Sequence, residues 1–314
     1  RVQIPAAGAG AEVNGFTVSG VSGSTNANSA AFNITGSGAI VRNNRVLGIN
    51  GNGVYLSTSG VANVLVEQNH FGNLAGGSYN GVKTEGSINL SVIDNSFDSI
   101  AYQGVQLGGS NNGAQVRNNV IANTAQGGIN IGGGTSIVID RNTLNLADTS
   151  GTADRAAIRI YPGVGAAVSC NTIGADNNRG VYFHSAAGTH QARVFHNACL
   201  AGVSLVNGNA NVVEVGSNWY DGATSAAGTA MAVADPLAAD PVGNALCGDN
   251  TPSSIVAHGG TGVQSTPVDS AFNDLRVRVQ DRFGGAAVGQ AESFSDPASS
   301  TAADTVASSG AELG

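Results

Sequence analysis

The sequence predicts an all-β chain built mainly as a solenoid of stacked short strands, and three observations predict it. A phrase of the form apolar, x, x, Asn, x, apolar returns from Val41 to Tyr220, around Asn44, Asn69, Asn95, Asn119, Asn142, Asn171, Asn197 and Asn218. Successive asparagines stand 25, 26, 24, 23, 29, 26 and 21 residues apart, and self-similarity at such a period marks a stacked-repeat architecture. Between them lies a second strand signal, a small residue followed by apolar, x, apolar, as in Gly53-Val54-Tyr55-Leu56, Gly104-Val105-Gln106-Leu107 and Ala157-Ile158-Arg159-Ile160. No helical stretch separates the two signals.

Taking the elements in order, the first apolar position of each phrase is Val41, Val66, Val92, Val116, Ile139, Val168, Val194 and Val215. Two residues earlier comes another small or apolar residue, so alternation at period two puts both columns on one dry face. The next position (Arg42, Glu67, Ile93, Arg117, Asp140, Ser169, Phe195) is mixed and reads as the wet face. A charge at Val116 is therefore expected to unfold several turns, and a change of charge at Arg117 to be nearly silent. Asparagine tolerates the left-handed backbone of a sharp turn, and stacked amides can also bond from turn to turn. A looser copy, Ala11 to Phe16 around Asn14, adds an earlier turn.

Short strands and a turn every 25 residues or so over residues 11 to 220 resemble the parallel β-helix repeats of polysaccharide lyases, epimerases, bacterial adhesins and phage tailspikes. The resemblance implies a right-handed parallel β-helix, a single-stranded solenoid over residues 1–220. A leucine-rich repeat shares the period but needs Leu-x-x-Leu-x-Leu spacing, which is absent.

Composition fits this fold. Only 11% of the 314 residues are charged and 46 are glycine, about half the usual charge and twice the usual glycine. Net charge is −8, which argues against nucleic acid and anionic lipid as partners. No apolar run reaches the roughly 18 to 20 residues of a membrane span. The chain begins at Arg1 without an initiator Met or signal peptide, so it is expected to be part of a longer surface protein, extracellular or at the cell surface. Three cysteines are too few for a disulfide framework. Cys199 takes an inward position held by Ile, Leu or Phe in other turns and reads as a small buried hydrophobe. Cys170 lies in a different column, and a bridge between the two is not indicated.

Residues 221–254, with Asp235-Pro236 and Asp240-Pro241, read as a cap and connector, because Pro lacks the donor a parallel ladder needs. Trp219 and Tyr220 are placed to cover the last dry layer. From residue 255 the pattern changes. Gly259-Gly260-Thr261-Gly262-Val263-Gln264-Ser265, followed by Leu275-Arg276-Val277-Arg278-Val279-Gln280-Asp281 and Phe283-Gly284-Gly285, resembles the opening strands of immunoglobulin-like repeats of intimin and invasin type. That resemblance implies a partial β-sandwich at the C-terminus. The stretch Ala291-Glu292-Ser293-Phe294 departs from the family's alternation, and residues 255–314 are too few for a module of about 100 residues.

Candidate chemistry lies on the outward columns of the Gly-apolar-x-apolar strands. One column is Tyr55, Lys83, Gln106, Asn130, Arg159, Tyr182, Ser204, and its neighbour is Ser57, Glu85, Gly108, Gly132, Tyr161, His184, Val206. Rings beside cations and amides suit a polysaccharide or a host surface glycan. Lys83, Glu85, Arg159, Tyr161, Tyr182 and His184 are the expected ligand contacts, flanked by extra residues at 72–80 and 145–155. Replacing Tyr161 and Tyr182 with Ala is expected to weaken binding at little cost in stability. The expected role is adhesion or carbohydrate binding without chemistry. The alternative is a polysaccharide lyase or epimerase acting on a uronate-containing glycan, with Arg159 or Tyr161 as base and His184 in support. Enzymes of the resembled family carry Asp-Asp, Asp-Pro-His or Gly-His-Gly motifs that are missing here. No cofactor is expected. Scattered His70, His190 and His196 and the lack of a recurring acidic column argue against a metal.

Overall fold

The computed structural model describes residues 1–20, 29–150, 154–174, 177, 179–200, 205–211, 213–216, 218–220, 226–228, 231–233, 237, 247, 252–259, 276–281, 291–295 and 303–307. Compact unit 1 spans Arg1–Val242 and unit 2 spans Gly243–Gly314. Unit 1 is a parallel β-solenoid. Each turn lays one strand in each of three long sheets, here called A, B and C in the order the chain visits them. The turn that begins at Asn52 is representative: Asn52–Leu56 lies in sheet A, Leu65–Glu67 in sheet B and His70–Leu74 in sheet C. Between A and B, the short strands Val61–Ala62, Ser87–Ile88 and Asn111–Asn112 form a small fourth sheet.

The strands repeat at this register because the dry columns do. Val41, Val66, Val92, Val116, Ile139, Val168 and Val194 pair successively in sheet B, and each is fully buried. Each buried Val or Ile contributes about 1.5 to 3 kcal/mol relative to exposure. Sheet C sends Phe71, Phe97, Ile121 and Leu144 into the same core, with the first two rings stacked 5.0 Å apart. This explains the small residue that opens each sheet A strand. A Cβ on Gly53 or Gly81 would collide with the ring edge of Phe71 or Phe97, and one on Gly104 would meet Ile121.

The asparagines form one continuous buried ladder. The Asn69 side chain donates to Asn95 Oδ1 at 3.0 Å and accepts both the backbone and side-chain N–H of Asn44 at 3.0 Å. The same pattern runs from Asn44 to Asn218. The left-handed residue is not the ladder Asn but the one before it: Asn43, Gln68, Asp94, Asn118, Arg141, Cys170 and His196 have φ between 53 and 57°. One amide therefore satisfies the inside of the corner while its neighbour makes the bend.

Several expectations shift. The earlier turn exists, but Val13 pairs with Val41 and Thr17 with Arg45, so Phe16, not Asn14, occupies the ladder position. Arg117 is not on a wet face: it is 7% exposed, with Nη2 3.5 Å from the fully buried Asp140. Removing its charge takes one of two guanidinium groups from a fully buried carboxylate, Arg141 Nε being the other at 3.8 Å, so a change there is not silent. Sheets A and B continue past residue 220 in Ala226–Gly228 and Met231–Val233. Cys199 is a free, buried thiol whose pKa burial pushes up to about 12. It forms no bridge with Cys170, which is itself disulfide-bonded. In unit 2, Pro252–Gly259 pairs antiparallel with Arg276–Asp281, and Ala291–Ser295 with Ala303–Ala307. The other segments of the expected immunoglobulin-like module lie outside the described residues.

Candidate functional site

Sheet A positions the candidate residues by register alone. Tyr55, Lys83, Gln106, Asn130, Arg159 and Tyr182 pair in succession, one per rung. The next partner of Tyr182 is Val206, not Ser204, because Leu205 pairs with Val181. The neighbouring column is held by one recurring backbone bond beyond the strand end. Glu85, Gly108, Gly132, Tyr161 and His184 each donate their N–H to the carbonyl that ends the preceding strand, at 2.8 to 3.3 Å. That column continues at Gly208.

Two clusters result. In the first, Lys83 Nζ lies 3.0 Å from Glu85 Oε1 and 4.9 Å from the centre of the Tyr55 ring. Tyr55 donates its hydroxyl to Glu85 at 3.0 Å. Burial first, and the Glu85 contact second, push the Tyr55 phenol up to about 12. The Lys83 ammonium holds the Glu85 carboxyl below the usual carboxylate range.

The second cluster is larger. Tyr161 and His184, cross-rung neighbours, stack at 4.0 Å between ring centres with an interplanar angle of 16°, and Tyr182 meets His184 edge-on at 5.9 Å. Arg159 donates to Asn130 Oδ1 at 2.6 Å and to the Asp154 carbonyl at 3.1 Å, with Asp154 Oδ2 at 3.4 Å. Its guanidinium also lies 5.1 Å from the Tyr161 ring. Asp154 and Arg155 close the 145–155 insertion; Arg155 donates to Gln126 at 2.8 Å and lies beside the Tyr102 ring.

This packing changes the reading of the face. Arg159 and Tyr182 are only 5% and 6% exposed. Tyr182 runs across the backbone at Gly208, where a Cβ would collide with its hydroxyl end. Tyr182→Ala therefore opens a void and costs stability, contrary to the expectation from its outward register. Lys83, Tyr161 and His184 are half-buried and Glu85 is exposed. The six expected contacts thus fall into two groups, separated by the rungs of Gln106 and Asn130. Asn130, from the same outward column, joins the second cluster, as do Asp154, Arg155 and Tyr102, which the column did not include; the length of the 145–155 turn was the one sequence sign of Asp154 and Arg155.

The protonation state of His184 follows from its contacts. Ala186 N–H donates to Nδ1 at 3.1 Å, so the neutral ring carries its proton on Nε2, which faces Asp154 Oδ2 at 4.0 Å. Burial first, and the Arg159 charge second, lower its pKa. Burial likewise lowers that of His190, which donates from Nε2 to the His184 carbonyl at 3.1 Å. At neutral pH His184 presents an N–H donor and no free lone pair. Burial leads in lowering the Arg159 pKa, yet three oxygen contacts favour its charged form. The cluster offers donors, one carboxylate and ring surface.

Comparison with known proteins agrees with the fold. The profile of a family described as "Right handed beta helix region" matches residues 6–155, in keeping with the parallel β-solenoid found there. No curated protein matches the sequence. Among solved structures, "Structure of QnrB1 (Full length), a plasmid-mediated fluoroquinolone resistance protein" is similar at 10% identity and TM-score 0.17, covering 62% of this chain and 86% of that one. A likeness at that score carries no argument about function.

Proposed function

We propose that the chain is a non-catalytic, glycan-binding β-helix of the bacterial cell surface or exterior, with an immunoglobulin-like module following it as a stalk. The observation that carries this reading is the line of two cation–ring clusters along one sheet, with the exposed Gly132 on the rungs between them. Ring faces and hydrogen-bond donors on one concave or flat face suit sugar rings and their hydroxyls. A lyase or epimerase is less well supported. Its base must hold a free lone pair within reach of the proton, and His184 spends that lone pair on Ala186 while Arg159 is held charged.

Lys83 is the chain's only lysine, which gives a direct test. With a polysaccharide panel, a bound glycan should protect Lys83 from an amine-reactive reagent, read by peptide mass spectrometry. Tyr161→Ala should weaken that glycan about tenfold, near 1.4 kcal/mol. Lack of protection by every polysaccharide, together with unchanged behaviour of Tyr161→Ala, would sink the reading. Appearance of an unsaturated uronate product would move the protein to the lyase class.

A further inference from the structure

A cleft of about 520 Å³ lies on the opposite side of the amide ladder, at the corner between sheets B and C. Its volume is within the range of small-ligand sites. The left-handed residues Asn43, Gln68 and Asp94 form one wall, and Arg45, His70 and Ser96 form the other. The geometry follows from the corner itself: the ladder Asn turns inward, so the residues on either side of it are left on the surface.

Three features set this corner apart from a merely solvated edge. Arg42, Arg117 and Arg159, on strands of the same solenoid, each face a carboxylate. Arg45 is exposed and, among the described residues, its side chain makes no ion pair, hydrogen bond or ring contact. Phe16, 58% exposed, takes the ladder position one rung above, and Val120, 49% exposed, closes the lower end. His70 Nδ1 lies 3.4 Å from Ser96 Oγ, leaving Nε2 for another partner.

We propose that this corner cleft is a binding site for a neutral oligosaccharide lying along the solenoid axis. Amides both donate and accept, as sugar hydroxyls do, while Arg45 adds a planar set of donors and Asp94 an acceptor. The exposed Val120 side chain, which lines the lower end, fits the apolar face of a sugar ring. A polyanion is disfavoured by Asp94 within the cleft and by the net charge of −8. The site shares no residue with the sheet A face, and neither reading depends on the other.

The test is an NMR titration of the full chain with maltohexaose, cellohexaose and N-acetylchitohexaose. At least one should shift the backbone amides of Asn43, Gln68 and Asp94. The Arg45→Ala/His70→Ala double variant should lower that affinity about tenfold or more, with an unchanged melting curve, whereas Tyr161→Ala should leave it alone. Absence of shifts at the cleft with all three sugars overturns the proposal, as does equal affinity in the double variant. Shifts confined to the Lys83 and Tyr161 face would overturn it too while supporting the sheet A reading.

Discussion

Asn119 accepts two hydrogen bonds from Asn95 and gives one each to Val92 O, Arg117 O and Asn142 Oδ1, all between 2.9 and 3.0 Å. Asn119→Ala leaves several buried polar groups unmet, each costing about 1–3 kcal/mol, so a loss of roughly 3 kcal/mol or more is expected in urea unfolding. The bend residues behave in the opposite way. Ser136 is exposed with φ 55°, so Ser136→Gly should be neutral or stabilising and Ser136→Val should cost about 1–2 kcal/mol. Titration enters at His184 and His190, whose folded pKa values are lowered. Protons then bind the unfolded chain first, so stability is full above the ordinary imidazole pKa of about 6.5 and falls as pH drops below it. A His184→Gln/His190→Gln variant should flatten melting temperature against pH over that range.

At the scale of the element, the sheet A strands begin with glycine because sheet C fills the space beside them. Gly81→Ala must displace the Phe97 ring and meets the Gly104 carbonyl at 2.6 Å. Overpacking of this kind costs about 1–3 kcal/mol. Gly77→Ala meets nothing within 4 Å and should leave the unfolding midpoint unchanged. Much of this was legible in the sequence. The Val/Ile column, the amide ladder and the run from Tyr55 to Tyr182 all follow from alternation at period two, which backbone pairing obeys. What alternation does not carry is the third dimension around a strand. Asp154 comes against Arg159, the pairing of Leu205 slides Val206 into the place given to Ser204, and Arg117 finds Asp140 on the next rung. Each depends on contacts between residues 5 to 24 positions apart that no local pattern encodes.

For the whole molecule, each turn touches only the turns above and below, so stability is close to a sum over neighbours. A charge placed mid-stack at Val116 should release hydrogen-exchange protection in the turns around Asn95 and Asn142 before it reaches those at either end. Arg117→Ala should destabilise as well, by leaving the buried Asp140 carboxylate with Arg141 as its one remaining guanidinium among the described residues.

The same register fixes how far apart the two sheet A clusters stand. Lys83 and Arg159 are three rungs apart, about 14 Å at the usual strand spacing. That length cannot be tuned continuously. Excising the 24 residues from Asn95 to Asn118 would set Asn119 beneath Asn69 and remove one rung, shortening the gap by about 4.8 Å. The solenoid is thus a ruler graduated in whole turns, and a ligand that bridges both clusters is measured in the same steps.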